Sequence, residues 1–419
     1  MTRVERFGRA TFASLRIRNF RLFFVGQSIS QVGNWMTLLA QSLLVLQLTD
    51  SGVALGLLAA AQFGPMLLIG PWAGLVADRA DKRRLLLVVQ SLAMVQSFAL
   101  AVVAFTGAPV GAIFAVALVG GVTVAFDNPA RRAFVVEMVP EPDVANAVSL
   151  NSALMTSSRV VGPALAGVLI ATVGFGWAFL ADGISYLAVL TSLWLMRPSE
   201  LRRSEPAARA PGQVREGLRY VRRTPELFVP LVMMGVVGTL AFNFGTVMPL
   251  FVTRDLAGST TTFSIIFSVL SAGSLVGALA VARRTEVGIR NVVRAAVAFG
   301  VAMAVFAVAP GIGTALPVAF AVGLASIAFL TASTAIVQLR SDPEMRGRVL
   351  ALQSMLFLGT TPLGGPLVGW VAQDLGARWA LALGASACAG AAAWGAVMVR
   401  RADRPRNAAA PPVVRTVPT

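Results

Sequence analysis

The chain contains no histidine, one cysteine (Cys388) and one lysine (Lys82), and only 13% of its 419 residues are charged. Each scarcity closes a class of chemistry. Without histidine there is no imidazole base for hydrolysis, and with one cysteine neither an intramolecular disulfide nor a Cys/His metal site can be built. A Walker loop needs Gly-Lys-Ser/Thr, but Lys82 lies between Asp81 and Arg83, so no ATP-binding loop is expected. The expectation is a protein that is not an enzyme, with no catalytic centre, metal or cofactor. A soluble chain of this length would need far more charge to cover its surface, whereas 56% of the residues are hydrophobic and the mean hydropathy is +0.76, the composition of a membrane protein.

Apolar runs of about twenty residues recur from end to end, each long enough to cross a bilayer. They place spans at 20–46, 53–77, 85–106, 110–130, 147–171, 177–196, 227–252, 260–282, 291–309, 312–338, 348–373 and 378–399. The predicted fold class is therefore an all-α membrane protein with twelve transmembrane helices. The net charge of +16 would suggest nucleic acid in a soluble protein, but the positions of the bases argue against it. All lysines and arginines except Arg159, Arg254 and Arg378 fall on one side of this map. By the positive-inside rule that side is the cytoplasm and carries both termini. The basic N-terminus resembles a signal peptide's n-region, but the apolar stretch from Phe20 is too long for an h-region, and it is read as a retained first span.

The longest polar interruption, 197–226, divides the spans six and six. Its first half reads as a flexible linker rich in Pro, Ser, Ala and Arg. In its second half Val214, Leu218 and Val221 recur at i, i+4, i+7 among arginines, which fits either a short amphipathic helix on the inner leaflet or a solvated charged loop. The expected units are residues 1–196, the linker 197–226, residues 227–399, and a disordered cytoplasmic tail 400–419. The halves echo each other: Gly162-Pro163 answers Gly365-Pro366, and Pro142-Asp143 answers Pro343-Glu344, at nearly the same offset. Matching breaks of this kind mark parallel-repeat transporters.

Between spans two and three lies the charged run Gly74-Leu75-Val76-Ala77-Asp78-Arg79-Ala80-Asp81-Lys82-Arg83-Arg84. It is similar to the loop signature of the major facilitator superfamily, with Asp81 where that family usually has glycine. The resemblance covers all twelve spans and implies two pseudo-symmetric six-helix bundles. Gly74, Asp78, Arg79 and Arg83 would then latch the inner side, with Arg131 and Arg132 as candidate partners of Asp78. Asp81 leaves the turn geometry open, because aspartate adopts positive φ less readily than glycine. The counterpart in the second half has Val281 at the position of Asp78, so the latch is expected in one half only. Gly162 and Pro163, within Arg159-Val160-Val161-Gly162-Pro163, resemble the Gly-Pro motif of superfamily exporters, where proline removes a backbone hydrogen bond and glycine lets helices approach. The opening 18–35 and Met345-Arg346-Gly347-Arg348-Val349 look like the drug:proton antiporters that include macrolide efflux proteins and the enterobactin exporter. Many of those carry an acid where Asn34 stands, and an amide cannot take up a proton.

Gln27, Gln31, Asn34 and Gln41 share one face of the first span. They either line an aqueous substrate path or join helices by hydrogen bonds; Asn243 in span seven is a further substrate-binding candidate. Arg159 is expensive at mid-span and calls for a partner, for which Asp182 is the nearest acid in sequence. Arg159 and Asp182 are the proton-coupling candidates, Asp182 being the one that could titrate; the alternative is that both are structural. Together these features point to a monomeric secondary transporter in a bacterial inner membrane, among lipids and without nucleic acid. It would export a small amphipathic molecule, such as a drug, secondary metabolite or siderophore, against protons. A nutrient symporter, or a non-transporting protein such as a lipid scramblase or sensor, is the alternative.

Overall fold

A computed structural model of the chain describes residues 12–202, 213–282 and 288–403, and all regular structure in them is helical. Six helices form the first half: α1 Arg18–Thr49, α2 Gly52–Arg79, α3 Lys82–Thr106, α4 Val110–Glu137, α5 Val144–Thr172 and α6 Phe175–Trp194. A linker helix, α7 Gln213–Arg223, precedes the second half. That half comprises α8 Pro225–Leu240, α9 Phe244–Leu250, α10 Thr260–Ala282, α11 Ile289–Ala307, α12 Ile312–Arg340, α13 Pro343–Leu358, α14 Thr361–Asp374 and α15 Ala377–Asp403. Two spans are broken: α8 and α9 form one, ending in a π-helical turn Phe251–Asp255, and α13 and α14 form another.

Eleven spans among the described residues are long and apolar enough to cross a membrane. The twelfth is α1, whose 32 residues would extend about 48 Å at 1.5 Å per residue and whose polar amides lower its hydropathy. Large apolar side chains such as Leu68, Trp194, Val308 and Trp379 stand exposed around the outside, as a lipid-facing surface requires. The tail residues 404–419, the linker residues 203–212 and residues 283–287 of the second-half loop lie outside the described residues. α15 continues as helix to Asp403, past the expected end at 399.

The two Gly-Pro elements pack alike in part. A Cβ on Gly162 of α5 would meet Val32 O of α1 at 2.7 Å, and one on Gly364, just before the Gly365-Pro366 pair of α14, would collide with Thr239 O of α8. Glycines thus bring the fifth helix of each half against the first, whereas a Cβ on Gly365 itself would meet Gly56 O of α2 at 3.1 Å. At the arginine-poor end the halves are tied together. Gly52 N donates to Gln373 Oε1 at 2.7 Å, Arg254 Nη2 reaches Asp50 Oδ1 at 3.0 Å, and α2 meets α14 so closely that Gly52 and Gly56 abut the backbone of Gly369 and Gly365.

The second half of the linker is the helix α7, and one end of it is held by protein. α7 docks on the arginine-rich end of α13: Arg348 pairs with Glu216, the Tyr220 hydroxyl accepts from Asp342 N at 3.1 Å, and Val221 is buried. An apolar row flanked by charge is the same pattern whether lipid or protein covers it. Here Val221 of that row is buried while Leu218 stays exposed, and α7 packs against α13 and α8.

Candidate functional site: a carboxylate-bearing cavity among the first-half helices

The charged run turns without positive φ. Asp81 is extended (φ −64°, ψ 110°) and caps α3 by accepting from Arg84 N at 3.0 Å, so an N-cap replaces the glycine's role. Lys82 is buried against Glu137 at the end of α4, Nζ to Oε1 2.8 Å. Arg83 donates to the C-terminal carbonyls Leu193 O (2.7 Å) and Trp194 O (3.2 Å) of α6. It therefore satisfies a helix end within its own half. Arg79 and Arg132 are exposed and Asp78 is half-buried. Arg131, expected beside Asp78, instead engages Asp127 Oδ2 at 2.8 Å and Asn128 Oδ1 at 3.2 Å within α4.

Breaking a buried ion pair costs more than breaking an exposed one, up to about 3–5 kcal/mol. Lys82→Ala, which takes one partner from the buried Glu137 carboxylate, is therefore expected to lower thermal stability by more than about 1 kcal/mol. Arg254→Ala, at a pair whose Asp50 side chain is 80% exposed, is expected to cost below about 1 kcal/mol. Thermal unfolding of the purified variants in detergent checks both, and equal shifts would contradict the burial argument.

The amide row of α1 divides in two. Gln31 Nε2 donates to Gln27 Oε1 at 3.3 Å, and both side chains are buried between helices. Asn34 and Gln41, with Thr37 between them, instead line a cavity of about 440 Å³ including its open mouth. Gln62 and Phe63 of α2, Gln96 and Ser97 of α3, Gly120 and Gly121 of α4, and Asp182 and Tyr186 of α6 complete its wall. The site therefore lies inside the first bundle.

Asp182, 1% exposed, is its acid. Its Oδ2 accepts from Ser97 Oγ at 2.7 Å and its Oδ1 from Ser185 Oγ at 3.3 Å. Gly33 lets α1 come this close, since a Cβ there would overlap Asp182 Oδ1 and stand 2.6 Å from Ser185 Oγ. The Thr37 hydroxyl of α1 is a further hydrogen-bonding neighbour of Asp182. Gln41 Nε2 is buried without a partner, although Gln41 Oε1 accepts from Gln62 at 2.6 Å, so the wall keeps one costly unpaired donor.

Arg159 is not brought to Asp182. Its guanidinium lies over the Trp35 ring, 4.8 Å from the centroid, one turn from where Gly162 packs on the same residue; a π face satisfies part of a desolvated charge. The other two arginines outside the basic side also have defined partners: Arg254 joins the halves, and Arg378 binds Asp255 Oδ1, Ala307 O and Ala309 O within the second half. Asn243 sits in the break between α8 and α9, donates to Thr239 O at 2.6 Å and keeps its Oδ1 unbonded; it lies outside the cavity wall of the first half. Sequence reasoning passed over Asp127, Gln90 and Tyr186. Gln90 Nε2 donates to Asp127 Oδ1 at 2.7 Å. The available signal was an acid four residues before Arg131, the spacing of a helical ion pair.

Twelve spans in two equivalent halves, with a buried carboxylate inside the first, have the architecture of a secondary transporter. The model of a family described as transmembrane secretion effectors matches residues 9–415, and the chain belongs to that family of the major facilitator superfamily. It is 27% identical over 267 residues to the staphyloferrin A transporter of Staphylococcus aureus, covering 62% of this chain but 66% of that transporter's own length. It is also 22% identical to macrolide efflux protein A of Streptococcus pyogenes, over 87% of this chain and 92% of that protein. With the multidrug efflux pump Tap of Mycolicibacterium fortuitum it shares 27% identity over 82% and 87% of the two chains. Among solved structures, a bacterial homologue of the human lysosomal transporter Spinster, inward-facing and unoccupied, superposes with a TM-score of 0.72 at 15% identity, covering 91% of this chain and 96% of that one. This last likeness is one of fold.

Proposed function

We propose that this protein exports a small amphipathic molecule from the cytoplasm by alternating access, driven by protons taken up at Asp182. The observation that carries the reading is the buried carboxylate of Asp182 on the wall of a polar cavity. A buried acid within a membrane span is functional by default, and the unpaired Gln41 Nε2 offers a donor to water or to a substrate oxygen. Export is supported by relatives named for macrolide efflux and multidrug efflux and by the Gly-Pro element of α5. The arginine-rich end is assigned to the cytoplasm by its charge, and the chain is taken to act as a monomer. Arg159 tunes cavity charge from its seat on Trp35, while Gly74, Asp78 and Arg79 form the inner latch.

Inside-out vesicles carrying the protein should accumulate erythromycin or staphyloferrin A when the lumen is acid, and vesicles without it should not. Accumulation only in right-side-out vesicles, with protons moving inward alongside the probe, would make the protein a symporter. No gradient-dependent flux of any compound in an export profile of cells with and without the protein would leave a non-transporting membrane protein.

A further inference from the structure

Arg159 holds a charge in the middle of α5, and no acid meets it. Among the described residues, Asp127 and Asp182 are the only acids more than one turn inside a spanning helix. Asp127 is taken by Arg131, and Asp182 accepts from its serines. The Trp35 ring lies against the Arg159 guanidinium, but a π face leaves the in-plane N–H donors for oxygen. No oxygen of a described residue accepts from them.

The face of α5 that leads to Arg159 looks towards the second half. Ser149, Ser152 and Thr156 precede it at steps of three, four and three residues, which is a single helical face. Their hydroxyls bond back to Ala145 O, Val148 O and Ser152 O and stand exposed. Gly167 lies about five turns beyond Ser149 on the same face, and there α5 packs on Ser264 of α10. The face is thus pressed on α10 at the arginine-poor end and free towards the arginine-rich end. Arg159 stands about 12 Å along the axis from the Gly167 contact, at the head of this cleft. Across it, Ser268 continues the Ser264 face of α10 by one turn towards the arginine-rich end, and its hydroxyl is buried without a partner.

We propose that Arg159 anchors a carboxylate of the transported molecule in this cleft, with the Ser268 hydroxyl as a further donor. Among small amphipathic molecules, those bearing an acid are then held best. The inference rests on the reading of the protein as an exporter and names a substrate class for it. A guanidinium meets a carboxylate through two parallel N–H···O bonds, and the ligand brings the counter-charge that the spans themselves do not supply.

The test needs no pH gradient. Binding of naphthylacetate and of its uncharged amide, naphthylacetamide, is measured by calorimetry on the full chain in dodecyl maltoside at neutral pH. The two probes share ring and shape and differ in charge. The wild type is expected to bind the acid at least about tenfold more tightly than the amide, the scale of a charge-assisted hydrogen bond. Arg159→Gln should lower the acid to the affinity of the amide, while the amide itself binds as before and so reports an intact fold. Arg159→Lys, which keeps the charge without the planar fork, should fall between. Equal wild-type affinities, or binding of neither probe, overturn the inference. So does a preference that Arg159→Gln keeps or, should that variant not fold, one that Arg159→Lys keeps in full. Because no gradient enters the measurement, these results leave proton-driven export at Asp182 standing, and a failure of export in vesicles leaves the acid preference to be read by itself.

Discussion

Asp182→Asn is expected to reduce pH-gradient-driven accumulation of erythromycin in inside-out vesicles to the level of protein-free vesicles. Asparagine has the shape of aspartate and still accepts from Ser97 Oγ, so the packing of α6 against α1 and α3 survives and the thermal midpoint should stay near that of the wild type. What is lost is the site that takes and releases a proton. Asp182→Leu separates the two roles from the other direction: it leaves the buried Ser97 hydroxyl without its acceptor, which costs about 1–3 kcal/mol, and it abolishes coupling as well. An asparagine variant that accumulated the probe as the wild type does, with the same dependence on the gradient, would remove Asp182 from the coupling mechanism.

The neighbourhood of Asp182 explains why only part of the site could be read in advance. Twelve apolar runs and the charge asymmetry were legible because bilayer thickness and topology act on composition over about twenty residues. Asp182 was legible because an acid inside an apolar run stands alone. Asp127 was not, because the apolar run of its span fades near residue 130 and the pair Arg131-Arg132 then reads as a loop. The helix in fact runs on to Glu137, about 10 Å further at 1.5 Å per residue. That extension moves Arg131 into a helix interior, where it meets Asp127 one turn back, and Glu137 against Lys82. A hydropathy pattern ends where apolar residues end, whereas a helix ends where its backbone loses partners. The amide row of α1 shows the same gap. Spacing set Gln27, Gln31, Asn34 and Gln41 on one face, but only packing decides that the first two bond each other and the last two meet a cavity.

The second large effect is expected at the arginine-poor end. A Cβ on Gly56 would collide with Gly365 O and stand 2.6 Å from Pro366 Cα. These are backbone atoms of α14, so no side chain can turn aside, and only separation of α2 from α14 relieves the overlap. Gly56→Leu should therefore destabilise the arrangement in which this end is closed. Over-packing of a close contact costs about 1–3 kcal/mol, and every 1.4 kcal/mol shifts an equilibrium about tenfold, so the closed form should fall by about one to two orders of magnitude. A cycle of alternating access passes through that form on every turnover, and gradient-driven export should drop in proportion. Gly64→Leu is the control on the same helix, because a Cβ there meets nothing within 4 Å. Spin labels at Leu48 and Asp374, both exposed near this end, would report the gap in a Cys388→Ala background. The gap should widen in Gly56→Leu and stay unchanged in Gly64→Leu. An unchanged gap in Gly56→Leu, with export intact, would mean that the close packing of α2 on α14 is not a gate that the transport cycle has to close.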